Sequence, residues 1–200
     1  MLVTERSQKP NFTKFREVSA ARAPIRALAA YLETLCFGES TGTSDKFTTV
    51  QDGKADPEDL ADYPSACVYV EGGVRYAEDG ALEPTDGIVL EDSQLLLAGD
   101  VQMTAIVHVW TNEDEHREIV LAALEDAFSP VEWMAGFQLE MPHYYGCRAQ
   151  YQLMELSYED SPDDVQRRYR KLSAQLMVRS PYARMFSLPK FRPRMSLDVE

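Results

Sequence analysis

The most regular pattern of the chain lies between residues 101 and 128. In residues 101–110 apolar and polar positions alternate, and this period of two predicts a β-strand with one apolar and one mixed face. The spacing then becomes helical, with Asn112 placed as an N-cap, Glu115 in the position of a capping-box acid and Pro130 after the helix end. The apolar strand and helix positions are Val101, Met103, Ala105, Val107, Val109, Val120, Ala123, Leu124, Ala127 and Phe128. We therefore expect a strand that runs directly into a helix.

A second helical pattern lies nearer the N-terminus. Pro24 fits the first turn of a helix, where its missing N–H is not needed. Gly38 is typical of a helix end. The apolar stripe between them consists of Ile25, Leu28, Ala29, Leu32, Leu35 and Cys36. This spacing predicts an amphipathic helix that buries one face.

Residues 38–63 are acidic and rich in turn-forming residues. A stretch of this length predicts a long loop that is either functional or partly disordered. Its acidic residues lack the alternating oxygen ligands and the terminal Glu of an EF-hand. A solvated acidic loop is therefore favoured over a calcium site.

Further strands are expected on both sides of the central pattern. A short strand spans residues 66–70 and ends at Gly72-Gly73, and residues 74–87 are expected to form a surface loop. Residues 95–98 are expected to form a hairpin with the strand at 101–110, through a turn at Gly99-Asp100. Two later strands are predicted at 137–141 and 147–157.

The C-terminal third ends in two different patterns. Residues 166–178 fit a strand or a helix, and their alternating second half favours the strand. Such a long strand would overhang the domain or pair with a neighbouring subunit. Residues 180–200 contain three prolines and spaced aromatic residues, which indicate an extended arm without regular structure.

Together these patterns predict the α+β class. We expect one small domain at residues 22–179, with a mostly antiparallel sheet packed by two amphipathic helices and the acidic loop at 38–63. We expect residues 1–21 to form an N-terminal arm and residues 180–200 to form an extended basic C-terminal arm.

Charge is sorted along the chain, whose formal net charge is −13. Residues 27–164 carry 29 acidic and five basic side chains, whereas residues 1–26 carry six basic and two acidic ones. Residues 165–197 contain nine Lys or Arg and no Asp or Glu. Opposite charges attract between copies as readily as within one copy. The simplest interpretation is an assembly protein in which basic ends dock on acidic bodies.

Candidate catalytic and metal-binding residues do not form a recognised motif in the sequence. His143 and Cys147 are four positions apart, with His108 and His116 upstream, but the pair falls across a predicted turn and not on one helix face. The sequence has no nucleophile elbow, and Gly72-Gly73 lacks the Lys and helix start of a phosphate-binding loop. We therefore expect no catalytic residues, no metal and no cofactor. An uncharacterised enzyme with a site in the 38–63 loop is the least favoured hypothesis.

The cysteines and the lengths of the apolar runs indicate the cellular compartment of the protein. Cys36, Cys67 and Cys147 are odd in number and far apart, so we expect three small buried thiols and no disulfide framework. The first residues show no signal-peptide pattern. The longest apolar run, residues 95–98, is far shorter than a membrane helix needs. These features indicate a reducing cytoplasm and no membrane partner.

The order of elements resembles that of the tail terminator, or tail-completion, proteins of long-tailed phages. Three stretches carry the resemblance: PSACVYV at residues 64–70, GDVQMTAIVHVWTNEDEHREIVLAALEDAF at 99–128, and the late strand that follows Asp163-Asp164. The resemblance covers roughly residues 22–180. This chain departs from the small members of that family in its longer ends and in the large 38–63 loop, which leaves room for related neck or sheath-capping roles.

The resemblance implies a structural role in the virion. It implies six copies in a ring on the tail tube, at the junction with the head, assembled in the host cytoplasm. The implied partners are other copies of the chain and tail tube, sheath or neck proteins, with DNA only as passing cargo. It implies no catalytic residues and no cofactor.

We predict that the subunit or partner interface lies in the basic C-terminal part of the chain. Aromatic residues interleave with the basic ones there, so the alternative is a nucleic-acid-associated protein that uses base stacking and phosphate contacts. The predicted interface residues are Arg167, Arg168, Arg170, Lys171, Arg179, Tyr182, Arg184, Phe186, Lys190, Phe191, Arg192 and Arg194.

Overall fold

The structure is a computed structural model that describes ten segments of the chain. The described residues are 18–40, 43–57, 62–77, 89–90, 93–112, 114–128, 136–141, 144, 147–160 and 169–187. They form the helices α1 (Arg22–Thr34) and α2 (Asp114–Phe128). The strands are β1 (Cys36–Ser40), β2 (Thr43–Lys46), β3 (Thr49–Asp52), β4 (Ser65–Ala77), β5 (Val89–Leu90), β6 (Ser93–Thr111), β7 (Phe137–Glu140), β8 (Arg148–Tyr158) and β9 (Arg170–Ser187).

The described strands form one large sheet and one small hairpin. The large sheet has the order β3-β4-β6-β9-β8-β7, with β5 also paired to β6. All its pairs are antiparallel except β3 with β4. The strands β1 and β2 pair separately. The predicted α+β class with two helices and a mostly antiparallel sheet is confirmed.

The alternation predicted for residues 101–110 sets the two faces of the sheet. The residues Val101, Met103, Ala105, Val107 and Val109 are buried in the main core, together with Leu172, Ala174, Leu176 and Val178 of β9. Both helices pack against this core, α1 mainly on β3, β4 and β7 and α2 on β1, β6, β8 and β9. The opposite face carries the alternate residues, which include His108 and Gln175.

α1 contacts both edges of the curled sheet, since β3 and β7 are the outer strands. Seven of its thirteen residues are buried, with Leu28 and Leu32 fully enclosed. The buried hydroxyl of Tyr151 in β8 donates to the carbonyl oxygen of Pro24 at 2.7 Å and ties the helix start to the sheet. The helix therefore lies across the gap between the two sheet edges.

The strand-to-helix run is confirmed, since β6 ends at Thr111 and α2 begins at Asp114. The strands at 137–141 and 147–157 are also confirmed as β7 and β8. The predicted end of α1 at Gly38 is wrong, because α1 stops at Thr34 and Gly38 lies in β1 with a φ of 71°. The single long loop at 38–63 is also wrong, because it contains β2, β3 and part of β1. Tertiary pairing of short strands, which leaves little local signal, explains that difference.

The turns predicted at Gly72-Gly73 and at Gly99 are also wrong, because both sites lie inside strands. Gly72-Gly73 does not end a strand, since β4 continues to Ala77 past a register shift between Glu71 and Arg75. Gly99 does not make a hairpin turn, since it lies inside β6, where the register with β9 shifts between Leu97 and Asp100. A glycine in a strand interior often marks a bulge, and that is its role here.

The C-terminal strand is longer than predicted. A strand instead of a helix is confirmed, but β9 runs through Ser187, so residues 180–187 are not part of an unstructured arm. Pro181 is accommodated where the β6 register shifts and where pairing with β8 has already ended at Arg179. Residues 1–17 and 188–200, which contain most of the two predicted arms, lie outside the described residues. Neither described helix is long and apolar enough to cross a membrane.

Candidate subunit interface

Three of the predicted interface residues lie on β9 and pair with carboxylates of the same chain. The Arg170 Nε atom donates to Asp114 Oδ1 at 2.9 Å, across to the first turn of α2. The Lys171 ammonium group contacts Glu159 Oε2 at 2.8 Å. The third pair joins Arg179 to Asp100 and remains more exposed, with 56% of the Arg179 side chain accessible. Basic residues of β9 thus meet acidic residues from distant parts of the chain, and their role between subunits stays a prediction.

The other predicted interface residues either lie further along β9 or fall outside the described residues. Tyr182 is half-buried, and its ring contacts Tyr76 edge-on with a centroid distance of 5.5 Å. The backbones of Arg184 and Phe186 belong to β9, where they pair with Leu96 and Gln94. The remaining predicted residues lie outside the described part of the chain: Arg167, Arg168, Lys190, Phe191, Arg192 and Arg194. The described members therefore lie along one strand and do not converge on a single cluster.

Among the described strands, β6 and β9 form a ribbon that extends past the ends of β4 and β8. They pair from Thr111 with Arg170 to Ser93 with Ser187, whereas β4 pairs with β6 only as far as Asp100 and β8 pairs with β9 only as far as Arg179. About seven residues of each strand thus continue beyond the flanking strands, which corresponds to about 20 Å. In the described part of the chain, β5 adds only two residues to this extension.

The base of the ribbon is held by Tyr144. The buried Tyr144 hydroxyl accepts a hydrogen bond from the Ala183 N–H at 2.9 Å and lies 3.4 Å from the Ala183 carbonyl oxygen. This hydroxyl meets backbone groups of β9 after the pairing with β8 has ended. The Tyr144 hydroxyl therefore takes the place of a β8 residue as partner of the Ala183 backbone groups.

A polar pocket of about 220 Å³ lies on the face of the sheet opposite the helices. The His108 Nε2 atom is 3.2 Å from the Tyr69 hydroxyl and 3.6 Å from Glu159 Oε2, and only 12% of the His108 side chain is exposed. The lining consists of Tyr69, Glu71, Ile106, His108, Glu155, Ser157, Glu159, Ser173 and Gln175. In the sequence, His108 stands out only as a histidine upstream of the His143 and Cys147 pair.

Burial controls the protonation of this pocket. Desolvation chiefly lowers the pKa of His108 to about 4, with a further lowering by Lys171 that outweighs the effect of Glu159. Desolvation also raises the pKa of Tyr69 to about 12. A general base works best with a pKa near the working pH, so a neutral imidazole of this kind is a weak base at pH 7. The geometry is that of a hydrogen-bonded network, and the expectation that the protein is not an enzyme stays a prediction.

A second buried cluster lies beside this pocket. Cys67, Trp110 and Tyr169 are almost fully buried and pack together, with Tyr63 stacked on Tyr169. Tyr169 is one of the aromatic residues that interleave with the basic ones in the sequence, and because its ring is buried it is not presented for base stacking. Its burial weakens the nucleic-acid alternative.

The expected buried state of the cysteines holds only in part. Cys67 is buried and Cys147 is half-buried, but Cys36 is exposed because it lies in β1 and not on the buried face of α1. Among the described residues, no group of three His, Cys, Asp or Glu side chains is arranged to hold a metal ion. His143 lies outside the described residues.

No protein-family model matches the chain, and no curated protein matches it either. Among solved structures, the chain is similar to one from the virion of a native gene transfer agent particle. The two share 16% sequence identity with a TM-score of 0.43, over 82% of this chain and 100% of the other. This similarity is too low to assign a family or a function.

Proposed function

We propose that this protein is a structural subunit of a phage-like virion. In this proposal, copies of the chain, six by the resemblance noted above, form a ring at the tail end or neck. The ring caps the tail tube or sheath and joins it to the head. The order of elements in the sequence supports this class of protein, and the observation that carries the proposal is the extended β6–β9 ribbon.

The ribbon supports an assembly role because a two-stranded extension is only marginally stable in water. Its residues are mostly apolar, with Leu95-Leu96-Leu97-Ala98 on β6. In the register, Leu95 pairs with Met185 and Leu97 pairs with Ala183. An apolar ribbon of about 20 Å gains stability when it packs on another protein surface. A neighbouring copy is the partner that a closed ring supplies at every position.

The charge distribution supports passage of DNA through such a ring. Residues 27–164 carry a net charge of −24, and an acidic wall repels phosphates. DNA would therefore move past the ring without being held. The pairing of Arg170, Lys171 and Arg179 with carboxylates of their own chain removes part of the basic charge that DNA binding would need.

Native mass spectrometry of the full chain at low and high salt, with electron microscopy of the same samples, tests the proposal. We expect a closed ring with a defined copy number. A ring that persists at high salt would assign the subunit contact mainly to the apolar ribbon, whereas dissociation with rising salt would assign it to charge pairs.

A parallel assay separates the structural role from the nucleic-acid alternative. Binding to duplex DNA is measured at about 50 mM salt, where phosphate contacts are strong. A monomeric chain that binds DNA with a steep salt dependence would contradict the proposal. A ring with undetectable DNA affinity would support it.

A further inference from the structure

A groove of about 550 Å³ runs over α1, between the two outer strands of the large sheet. Val50 and Asp52 of β3 form one wall, and residues 139–141, in and just after β7, form the other. The floor is a face of α1 that consists mainly of small residues, of which Ala23, Ala27 and Ala29 are buried and Ala30 is exposed. Short side chains on the floor let another segment approach the helix closely.

The groove combines apolar surface with uncompensated negative charge. Tyr31, Leu139 and Met141 contribute apolar lining, while Glu33 and Glu140 are exposed acidic residues of the lining. Asp52 already pairs with Arg22 and Arg26, at 3.2 and 3.0 Å. Neither Glu33 nor Glu140 has an ion pair with another described residue. An occupant with aromatic and basic side chains would match this surface.

Residues 1–17, which precede the first described residue, fit that requirement by composition. Val18, the first described residue, is buried and itself lines the groove. The preceding sequence places Phe12 and Phe15 beside Lys14 and Arg16. Three residues span at most about 10 Å and six at most about 20 Å, so both aromatic residues are within reach of the groove in the same chain.

We propose that this groove is the docking site of the chain's own residues 1–17, with Phe12 and Phe15 as its apolar anchors. Each buried aromatic ring removes about 150–250 Å² from water, which is the main gain. In this docked arrangement Lys14 and Arg16 would meet the carboxylates of Glu33 and Glu140. Because the segment is tethered at Val18, docking within the chain has the advantage of a high effective concentration over docking from another copy. This proposal is independent of the virion role.

Tryptic cleavage after Lys14 and Arg16 in the full-length chain tests the docking. In Ala30→Trp the indole fills the groove from an exposed helix position, so we expect cleavage about tenfold faster than in the wild type. Phe12→Ser with Phe15→Ser should raise the rate similarly, because the anchors are lost. The matched control is Ala77→Trp, at an exposed alanine of β4 that does not line the groove, and it should leave the rate unchanged. Circular dichroism confirms that each variant is folded.

Three results would overturn the proposal. Equal cleavage of the wild type and Ala30→Trp, fast in both, would mean that the segment is not held. Slow cleavage in both would place the segment elsewhere. Protection that falls when the protein is diluted would assign the groove to the segment of a neighbouring copy.

Discussion

Tyr151 links β8 to the first turn of α1 through a buried hydroxyl, and this bond gives the first prediction. Replacing Tyr151 by Phe removes the donor to the Pro24 carbonyl oxygen and leaves the ring packing in place. We expect the free energy of unfolding to fall by about 1 kcal/mol, because a buried hydrogen bond is lost without a cavity. Urea denaturation measures the change. The control is Tyr158→Phe, whose hydroxyl donates to Glu118 at the surface and whose loss should cost less than about 0.5 kcal/mol.

His108 gives a prediction about pH. Its pKa is lowered from 6.5 to about 4 in the folded protein, so the unfolded chain takes up the proton first. The stabilisation that the neutral His108 side chain gives the folded protein is therefore present above about pH 6.5 and is lost as the pH falls towards 4. The groups that face the ring are Tyr69, Glu159, Lys171 and, over the Tyr69 ring, Lys54.

We expect the free energy of unfolding of the wild type to fall by about 1 kcal/mol between about pH 6.5 and pH 5. This is less than the full shift implies, because solvent screens the part of the ring that remains accessible. Urea denaturation of wild type and His108→Gln at both pH values measures the difference. A His108→Gln variant that shows the same decrease as the wild type would contradict the assignment. The lowered pKa values of Glu159 and Asp52 act only at lower pH.

At the scale of elements, the start of β7 depends on one glycine. Gly136 has a φ of 66°, and a Cβ atom there would overlap the carbonyl oxygen of Tyr151 on the neighbouring strand. We expect Gly136→Ala to lower the free energy of unfolding by more than about 2 kcal/mol, because backbone must move. Thermal denaturation compares it with Gly73→Ala, where nothing lies within 4 Å of the new Cβ atom. Equal melting temperatures for the two variants would contradict this account of β7.

At the scale of the whole molecule, the extended ribbon gives a prediction about assembly. Replacing Leu95 and Leu97 by Ser should weaken the oligomer at least about tenfold, because apolar contact area is lost between copies. Circular dichroism checks that the variant subunit remains folded. Native mass spectrometry across protein concentration measures the loss of assembly. The control is Met154→Ser, an apolar residue that is 59% exposed on the body, and an equal loss of assembly there would contradict a specific role of the ribbon.

The sequence by itself determined the elements whose signals are local. The alternation at residues 101–110, with its buried face, and a helix directly after it were predicted, because periodicity depends only on neighbouring residues. The same reasoning located β7 and β8 and the α+β class. It also singled out the basic residues of the C-terminal part, although not their partners.

The tertiary structure decided where the chain turns and which residues meet. Gly99 and Gly72 are residues of a type that favours turns, yet both lie inside strands. Pairing with the neighbouring strands keeps the backbone extended there, with a bulge at each site. Arg170 and Arg179 find carboxylates 56 and 79 positions away, a distance over which local sequence carries no information. The ribbon of β6 and β9, the polar pocket at His108 and the groove over α1 all arise from such long-range pairing. They exist only once distant strands and helices have come together.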